Sequence, residues 1–168
     1  MLDATLRQLD VWYNEPTQGG GRPKLISKLA TLELCGWIEG EFDRLVMLAE
    51  SGRLNDPDWV KGEVLSRTSG FKYNEHLRPM LAKLVGEVFV RRIEARMEAD
   101  FLGEFERLKA LLGTLWQLRC SFAHADVAAN VAAQERFDAP SWSINQHRVL
   151  KKLIDHYEQS MALVLADV

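Results

Sequence analysis

The stretch FLGEFERLKALLGTLWQLRCSF, residues 101–122, decides the fold of this chain. Its bulky apolar residues recur every three or four positions, the spacing that places side chains on one face of an α-helix. Six apolar residues form this stripe, and Arg119 occupies its one remaining position: Phe101, Phe105, Leu108, Leu112, Leu115 and Phe122. The pattern predicts a long helix that packs along one side against other helices, with Asp100 as its N-cap.

The same helical period continues on both sides of this stretch, and no segment alternates apolar and polar residues as a strand would. Ser143 and Gln146 form the Ser-x-x-Gln capping box of a last helix. We therefore predict an all-α fold, an antiparallel bundle of four main helices with short additional helices. Besides the central helix, the predicted helices cover residues 2–13, 24–51, 57–66 with Asp56 as N-cap, 74 through at least 88, and 143–164. Four of these helices have a predicted inward stripe of apolar residues: Leu2, Leu6, Leu9 and Tyr13 in the first; Ile38, Phe42, Leu45 and Ala49 in the second; Leu77, Met80, Leu81, Leu84, Val85 and Val88 in the fourth; and Leu150, Leu153, Ile154, Tyr157, Met161 and Val164 in the last.

Two segments interrupt the helical pattern. Residues 14–23 contain two prolines and three consecutive glycines, a composition that predicts a flexible loop. Residues 125–140 have no stable period and predict a long connection, which compact domains rarely keep without a purpose. Because 168 residues with 47% apolar content can bury one substantial core, we expect a single domain over residues 1–168.

The composition excludes several classes of protein. A net charge of -3 argues against holding nucleic acid by bulk positive charge, although a local basic site stays open. The longest apolar run near either end, residues 161–166, is far shorter than a membrane span, and the first residues do not form a secretion signal. Two distant cysteines, Cys35 and Cys120, argue against a disulfide scaffold. We expect a cytoplasmic protein that does not bind membranes.

Metal and cofactor motifs are also absent from the sequence. None of the four histidines lies three residues after a glutamate, as the Glu-x-x-His motif of di-iron bundles requires. The glycines at 19–21 are followed by Pro23 and Lys24, and the Gly-Lys-Ser/Thr of a phosphate loop is missing. We predict neither a bound metal nor a cofactor.

Arg119 and His124 are the residues that folding alone does not require. Arg119 stands where the period calls for leucine, so its charge must be paired, turned toward a cleft or placed at a subunit interface. His124 follows five residues later, about 140° further round a continuous helix. The two side chains can therefore converge only if the helix ends or loosens near Phe122, which the irregular residues after it favour.

The Arg-x4-His of residues 119–124, placed at the end of a long helix in an all-α chain, resembles the signature of the HEPN superfamily. The stretch LELCGWIE at residues 32–39 and the Ala-Pro-Ser at 139–141 are similar to the RiboL-PSP-HEPN branch. The resemblance implies a metal-independent endoribonuclease that acts as a homodimer, with Arg119 and His124 of two chains meeting in one composite site. It further implies a toxin or anti-phage defence component, with a protein antitoxin or another regulator as a partner.

The two residue types suit RNA cleavage. An imidazole that titrates near neutrality can take the proton from a ribose 2′-hydroxyl, which then attacks the adjacent phosphate. A guanidinium can stabilise the charge that builds on the phosphate oxygens. We therefore expect products with a 2′,3′-cyclic phosphate and a 5′-hydroxyl, and no cleavage of DNA.

One residue departs from the family pattern. Cys120 follows the arginine where the family often has a polar residue, and a thiol is a poor hydrogen-bond donor. An orienting role would then pass to Ser121, to Asp126 or to no residue at all. His147 and Arg148, in the first turn of the predicted last helix, are auxiliary candidates, since helix-terminal N–H groups there could help to hold a phosphate.

Two other functions stay open. The first is a non-catalytic HEPN-like interaction module that binds RNA, a nucleotide or a partner protein, with Arg119 as an interface anchor. The residue Cys120 favours this alternative. The second is a helical bundle that binds a small ligand in the space beneath Trp37 and Trp116.

Overall fold

The computed structural model describes residues 2–16, 21–50, 56–124 and 138–166, with the backbone alone at residues 123 and 124. Within these ranges the chain contains α-helices and no β-strand, so the all-α prediction is confirmed. None of these helices is long and apolar enough to cross a membrane. The helices are α1 (Leu2–Asn14), α2 (Arg22–Glu50), α3 (Pro57–Trp59), α4 (Arg78–Val85), α5 (Glu87–Asp100), α6 (Glu104–His124) and α7 (Pro140–Ala166). π-Helical turns follow α3 at Val60–Leu65 and precede α4 at Tyr73–Leu77.

The chain divides into two compact units. The first unit comprises Met1–Trp37 and Leu115–Val149, and the second comprises Ile38–Thr114 and Leu150–Val168. The expectation of one domain over residues 1–168 stays a prediction.

The core of the first unit confirms the predicted stripe of α1. Leu6 and Leu9 are buried there, and Leu2 and Tyr13 pack against the cluster as partly buried residues. The other buried members are Ile26 and Ala30 of α2 and Ile144 of α7. Burial of a large aliphatic side chain contributes about 1.5–3 kcal/mol relative to an exposed one, so this cluster fixes α1 on α2.

The second unit buries the predicted stripes of α2 and α7. The buried members of the predicted stripe of α2 are Ile38, Phe42, Leu45 and Ala49. Those of α7 are Leu150, Leu153, Ile154, Tyr157, Met161 and Val164. The spacing of three and four residues therefore identified the inward face of both long helices.

The start of α3 follows the predicted capping. The Asp56 carboxylate accepts a hydrogen bond of 2.9 Å from the backbone N–H of Trp59, and Pro57 is the first helical residue. The backbone N–H of Asp56 donates in turn to the Glu50 carboxylate at 3.1 Å. Asp56 therefore satisfies one of the open donors of the helix, and Pro57 removes another.

The segment after Asn74 differs from the prediction because a glycine divides it. α4 ends at Val85, Gly86 adopts φ 88° and ψ 154°, and α5 begins at Glu87. Val88, which the sequence places on the inward stripe, is 69% exposed. A positive φ with an extended ψ is open almost only to glycine, so the chain changes direction at this residue and the stripe does not continue.

Replacing Gly86 with alanine is expected to lower the free energy of unfolding by about 1–3 kcal/mol, because the Cβ makes its backbone conformation strained. Gly113 is the matched control, since it lies inside α6 and an added Cβ meets no atom within 4 Å. Gly113→Ala is expected to raise the free energy of unfolding by about 0.5–1 kcal/mol. Urea unfolding measures both changes, and a Gly86→Ala variant as stable as the wild type would contradict the assignment.

The predicted N-cap at Asp100 is wrong. Asp100 is the last residue of α5 and accepts a hydrogen bond of 2.5 Å from Arg96, while α6 begins only at Glu104. Phe101 leaves helical geometry at φ −136°, and Gly103 at φ 76° turns the chain into α6. The central stripe therefore begins at Phe105, and Phe101 lies outside the helix.

The predicted capping box at Ser143 and Gln146 is also wrong. α7 begins at Pro140, a residue well suited to a first helical position, and both polar residues lie inside the helix. The Ser143 hydroxyl is buried. Of the predicted long connection at 125–140, residues 125–137 lie outside the described residues.

The predicted loop at residues 14–23 is shorter than expected. Asn14 ends α1, and Arg22 and Pro23 already belong to α2. Arg22 forms a salt bridge of 2.8 Å with Glu15. Residues 17–20 lie outside the described residues.

Candidate functional site

The end of α6 holds Arg119 in a half-buried position. Leu112 and Leu115 precede it on the same stripe and are fully buried, and Phe122 follows with 3% exposure. Arg119 is intermediate in exposure, so the stripe stays inward-facing where the charge interrupts it. The charge of Arg119 is therefore neither fully buried nor fully exposed, and the predicted alternatives, a cleft or a subunit interface, stay predictions.

Trp116 contacts the guanidinium of Arg119. The Cζ atom of Arg119 lies 5.2 Å from the centroid of the indole ring, within the range of a cation–π interaction. The two residues are three positions apart, which places them on neighbouring turns of the same helix face. The aromatic face therefore offsets part of the desolvation of the charge, a role for Trp116 that the spacing alone could have indicated.

α6 is helical through His124, two residues past Phe122, and the residues that follow lie outside the described ones. The end or loosening of the helix near Phe122 therefore stays a prediction. At about 100° per residue, the Cα positions of Arg119 and His124 point about 140° apart around the helix axis. The imidazole itself lies outside the described side chains, so the meeting of the two residues stays a prediction.

Cys120 and Ser121 follow Arg119 on α6. Cys120 is a half-buried free thiol. The exposed hydroxyl of Ser121 donates to the backbone carbonyl of Leu118 at 2.9 Å. This hydrogen bond directs the only hydroxyl proton of Ser121 back to its own helix. Asp126, the other predicted orienting residue, lies outside the described residues.

His147 and Arg148 lie about two turns into α7, and not in its first turn as predicted, because the helix begins at Pro140. Their backbone N–H groups are therefore inside the helix and do not form an N-terminal phosphate site. The ring of His147 meets Trp37 edge to face, with centroids 4.5 Å apart and planes at 89°. Arg148 is exposed.

The charges of α7 act on the start of α1. The pKa of Asp3 is lowered, first by the hydrogen bond from Arg7 at 2.7 Å and then by the charges of Arg7, Arg148 and His147. Asp3 follows directly after Leu2, which packs against the core of the first unit. Two of the predicted auxiliary residues therefore act through their charges on a carboxylate in the first turn of α1.

Cys35 ties α2 to α6 within the first unit. Its thiol is 1% exposed and donates to the backbone carbonyl of Leu115, with a distance of 4.0 Å between sulfur and oxygen. Cys35 and Trp37 both belong to the stretch 32–39 that carries part of the family resemblance. The segment therefore has a packing role in this chain as well.

The site residues thus form two groups in the first unit. Arg119 with Trp116 belongs to α6, and His147 with Arg148 belongs to α7 beside Trp37 and Asp3. Among the described residues, no three His, Cys, Asp or Glu side chains lie together as a metal site would need. Comparisons of the chain with protein-family models, curated proteins and solved structures gave no match.

Proposed function

We propose that this chain is a HEPN-type, metal-independent endoribonuclease that acts as a cytoplasmic homodimer. The observation that supports the proposal is the half-buried guanidinium of Arg119, seated against Trp116 near the end of α6. Such a cation keeps its charge in a partly dry environment and offers parallel donors to a phosphate. In the proposed bundle the four main helices are α2, the pair α4 and α5, α6, and α7.

The positions of Arg119 and His124 around the axis of α6 favour a site composed of two chains. Because the backbone of α6 is helical through His124, the Cα positions of Arg119 and His124 point about 140° apart around the axis of one chain's helix. A second copy of α6, related by a two-fold axis, can bring its own His124 to the Arg119 of the first. The proposal therefore places one guanidinium and one imidazole from different protomers at each reacting phosphate.

The proposed reaction needs only these side chains and the RNA. The neutral imidazole of His124 takes the proton of the ribose 2′-hydroxyl, and the 2′-oxygen forms a bond to phosphorus while the bond to the 5′-oxygen breaks. The protonated imidazole or water returns a proton to the leaving 5′-oxygen. Arg119 binds the phosphate oxygens as their charge increases. The products are a 2′,3′-cyclic phosphate and a 5′-hydroxyl.

The test is cleavage of a labelled single-stranded RNA by the purified chain in the presence of EDTA. Cleavage is expected to continue without divalent metal, and the His124→Ala variant is expected to lose about a hundred- to ten-thousandfold in rate, the usual contribution of a general base. The matched substrate control is the same oligonucleotide with deoxyribose at the cleaved position, which is expected to remain intact. Cleavage that EDTA abolishes, or cleavage of the deoxy substrate, would contradict the proposed mechanism.

A second candidate function is a non-catalytic HEPN-like module that binds RNA, a nucleotide or a partner protein. One observation favours it: Cys120 occupies the position after the arginine, where the family often has a polar residue. In this case Arg119 is an interface anchor, because arginines packed against aromatic rings are common centres of interfaces. Binding of RNA without turnover, or a dimer that dissociates in Arg119→Ala, would distinguish this function from the nuclease.

The proposed function also includes a biological setting. The resemblance to the HEPN superfamily implies a toxin or defence component, so a protein antitoxin or another regulator is part of the proposal. A toxin or defence role predicts that expression of the active chain arrests growth and that the His124→Ala variant does not.

A further inference from the structure

A cavity in the first unit is not explained by the cleavage mechanism. It lies between α1 and the first half of α2 and has a volume of about 410 Å³. Sites for small organic molecules have volumes of roughly 300–1,000 Å³. The residues that line it are Leu2, Thr5, Leu32, Glu33, Gly36 and Trp37.

The lining combines flat apolar surface with a few polar groups. Trp37 is half-buried and its ring is held edge to face against His147, so one aromatic wall has a fixed position. Leu2 and Leu32 add aliphatic surface. Gly36 contributes no side chain, and a Cβ built at this position meets no atom within 4 Å, which leaves the space beside Trp37 open.

Glu33 and Thr5 give the cavity its hydrogen-bonding character. Both residues are exposed and line the cavity beside its apolar walls. An ionised carboxylate accepts hydrogen bonds and cannot donate, and its two oxygens suit a ligand with two adjacent N–H donors. The Thr5 hydroxyl can donate to a neighbouring carbonyl oxygen.

We infer that this cavity binds a guanine base, stacked on Trp37 with its N1–H and N2–H donors on the carboxylate of Glu33. Guanine fits because its pairing edge presents two adjacent donors beside a carbonyl oxygen, whereas the edges of adenine, cytosine and uracil place an acceptor beside each donor. Bases in single-stranded RNA are commonly held by aromatic stacking together with hydrogen bonds to this edge.

The charges of two α7 residues act on Asp3, the chain neighbour of Leu2 in the cavity lining. Arg148 is exposed and, together with His147, contributes to lowering the pKa of Asp3, whose first cause is the hydrogen bond from Arg7. Asp3 neighbours Leu2 of the cavity, and His147 contacts Trp37. A nucleotide whose base occupies the cavity can therefore place its phosphate toward Arg148.

This inference deepens the proposed function, on which it rests for RNA as the natural ligand, but base binding is measured without cleavage. The experiment is isothermal titration calorimetry of the full chain with the 5′-monophosphates of guanosine, inosine, adenosine and cytidine. Guanosine monophosphate is expected to bind most tightly. Inosine monophosphate, which lacks only the exocyclic amine, is expected to bind about tenfold more weakly.

Two variants test the two walls. Glu33→Gln keeps the size of the side chain but replaces one acceptor oxygen with an N–H donor. The variant is therefore expected to bind guanosine monophosphate about tenfold more weakly, and no more tightly than inosine monophosphate. Trp37→Ala is expected to bind every one of the four nucleotides about tenfold more weakly, because the stacking contact is lost. The matched controls are Glu106→Gln on α6 and Trp12→Ala, an exposed tryptophan of α1 outside the cavity, and neither is expected to change the affinities.

Each outcome decides the inference. Equal binding of the four nucleotides, or affinities that Glu33→Gln leaves unchanged, would overturn it, and this variant carries the test if thermal melting shows that Trp37→Ala is unfolded. A dimer that dissociates in Trp37→Ala without any nucleotide preference would instead assign the cavity to a protein partner. Guanine selectivity without RNA cleavage would support guanine binding in the cavity and contradict the proposed nuclease. Cleavage without guanine selectivity would support the nuclease and overturn guanine binding.

Discussion

Replacing Arg119 with alanine is expected to reduce the rate of RNA cleavage by about a hundred- to a thousandfold, the range seen when one donor to a developing oxyanion is removed. The guanidinium is the only part of the side chain that can bind the charged phosphate, and alanine leaves Trp116 without its cation. Single-turnover cleavage of a labelled RNA in EDTA measures the effect. Because the loss concerns the transition state, RNA binding is expected to weaken much less than the rate.

Two further variants separate geometry from charge. Arg119→Lys keeps the positive charge but loses the planar pair of donors, so it is expected to recover only a small part of the rate. Arg107→Ala is the matched control, because Arg107 is exposed on the same helix and lies outside the stripe that Arg119 interrupts. Full activity in Arg119→Ala would contradict the nuclease proposal.

The parts of the fold that were predicted correctly depend on local signals. Leu6 and Leu9 lie on one face of α1 whatever the rest of the chain does, and the spacing alone shows this. Asp56 and Pro57 act within one turn of the backbone, so their roles were equally visible. Such features need no knowledge of distant residues.

The features that were missed depend on backbone conformation or on distant partners. Gly86 can sit inside a helix or turn the chain with a positive φ, and its sequence neighbours do not decide between the two. Ser143 followed by Gln146 matches a capping box, but Pro140 starts the helix one turn earlier. A capping motif therefore does not set the start of a helix when a stronger helix-starting residue precedes it by one turn.

The candidate site shows the same limit. The half-buried position of Arg119 followed from the period of α6, since any residue on that stripe lies near the packed face. The continuation of the helix through His124 could not be predicted from this period, because the residues after Phe122 carry no clear signal of where the helix ends. The contact of Trp37 with His147 joins residues on α2 and α7, and no sequence pattern predicts it.

A buried pair of tyrosines is the most consequential feature of the second unit that the sequence did not indicate. Tyr157 is fully buried and Tyr73 is 2% exposed, and their hydroxyl oxygens are 3.1 Å apart. Tyr73 donates to the carboxylate of Glu94 at 2.9 Å, and Arg78 donates to the same oxygen at 2.9 Å. Because an ionised carboxylate cannot donate, the proton between the two tyrosines comes from Tyr157.

Because Tyr157 donates to Tyr73 and Tyr73 donates to Glu94, removal of either hydroxyl has a different effect on the remaining hydrogen bonds. Burial raises the pKa of both phenols, so both stay protonated and act as donors near neutral pH. Tyr73 is the middle member of this hydrogen-bonded series, since its hydroxyl accepts a hydrogen bond from Tyr157 and donates one to Glu94. Removal of its hydroxyl leaves Tyr157 with a buried donor and no acceptor, whereas removal of the Tyr157 hydroxyl leaves the bond from Tyr73 to Glu94 intact.

Replacing Tyr157 with alanine is therefore expected to lower the free energy of unfolding by about 3–5 kcal/mol, because the largest fully buried side chain of the described residues is removed and a cavity remains. The conservative variants separate packing from hydrogen bonding: Tyr73→Phe is expected to cost about 1–3 kcal/mol and Tyr157→Phe about 0.5–1.5 kcal/mol. The double phenylalanine variant is expected to cost less than the sum of the two, since no orphaned hydroxyl is left. Urea unfolding of the four variants measures these values, and Tyr157→Phe costing more than Tyr73→Phe would show that the proton order is reversed.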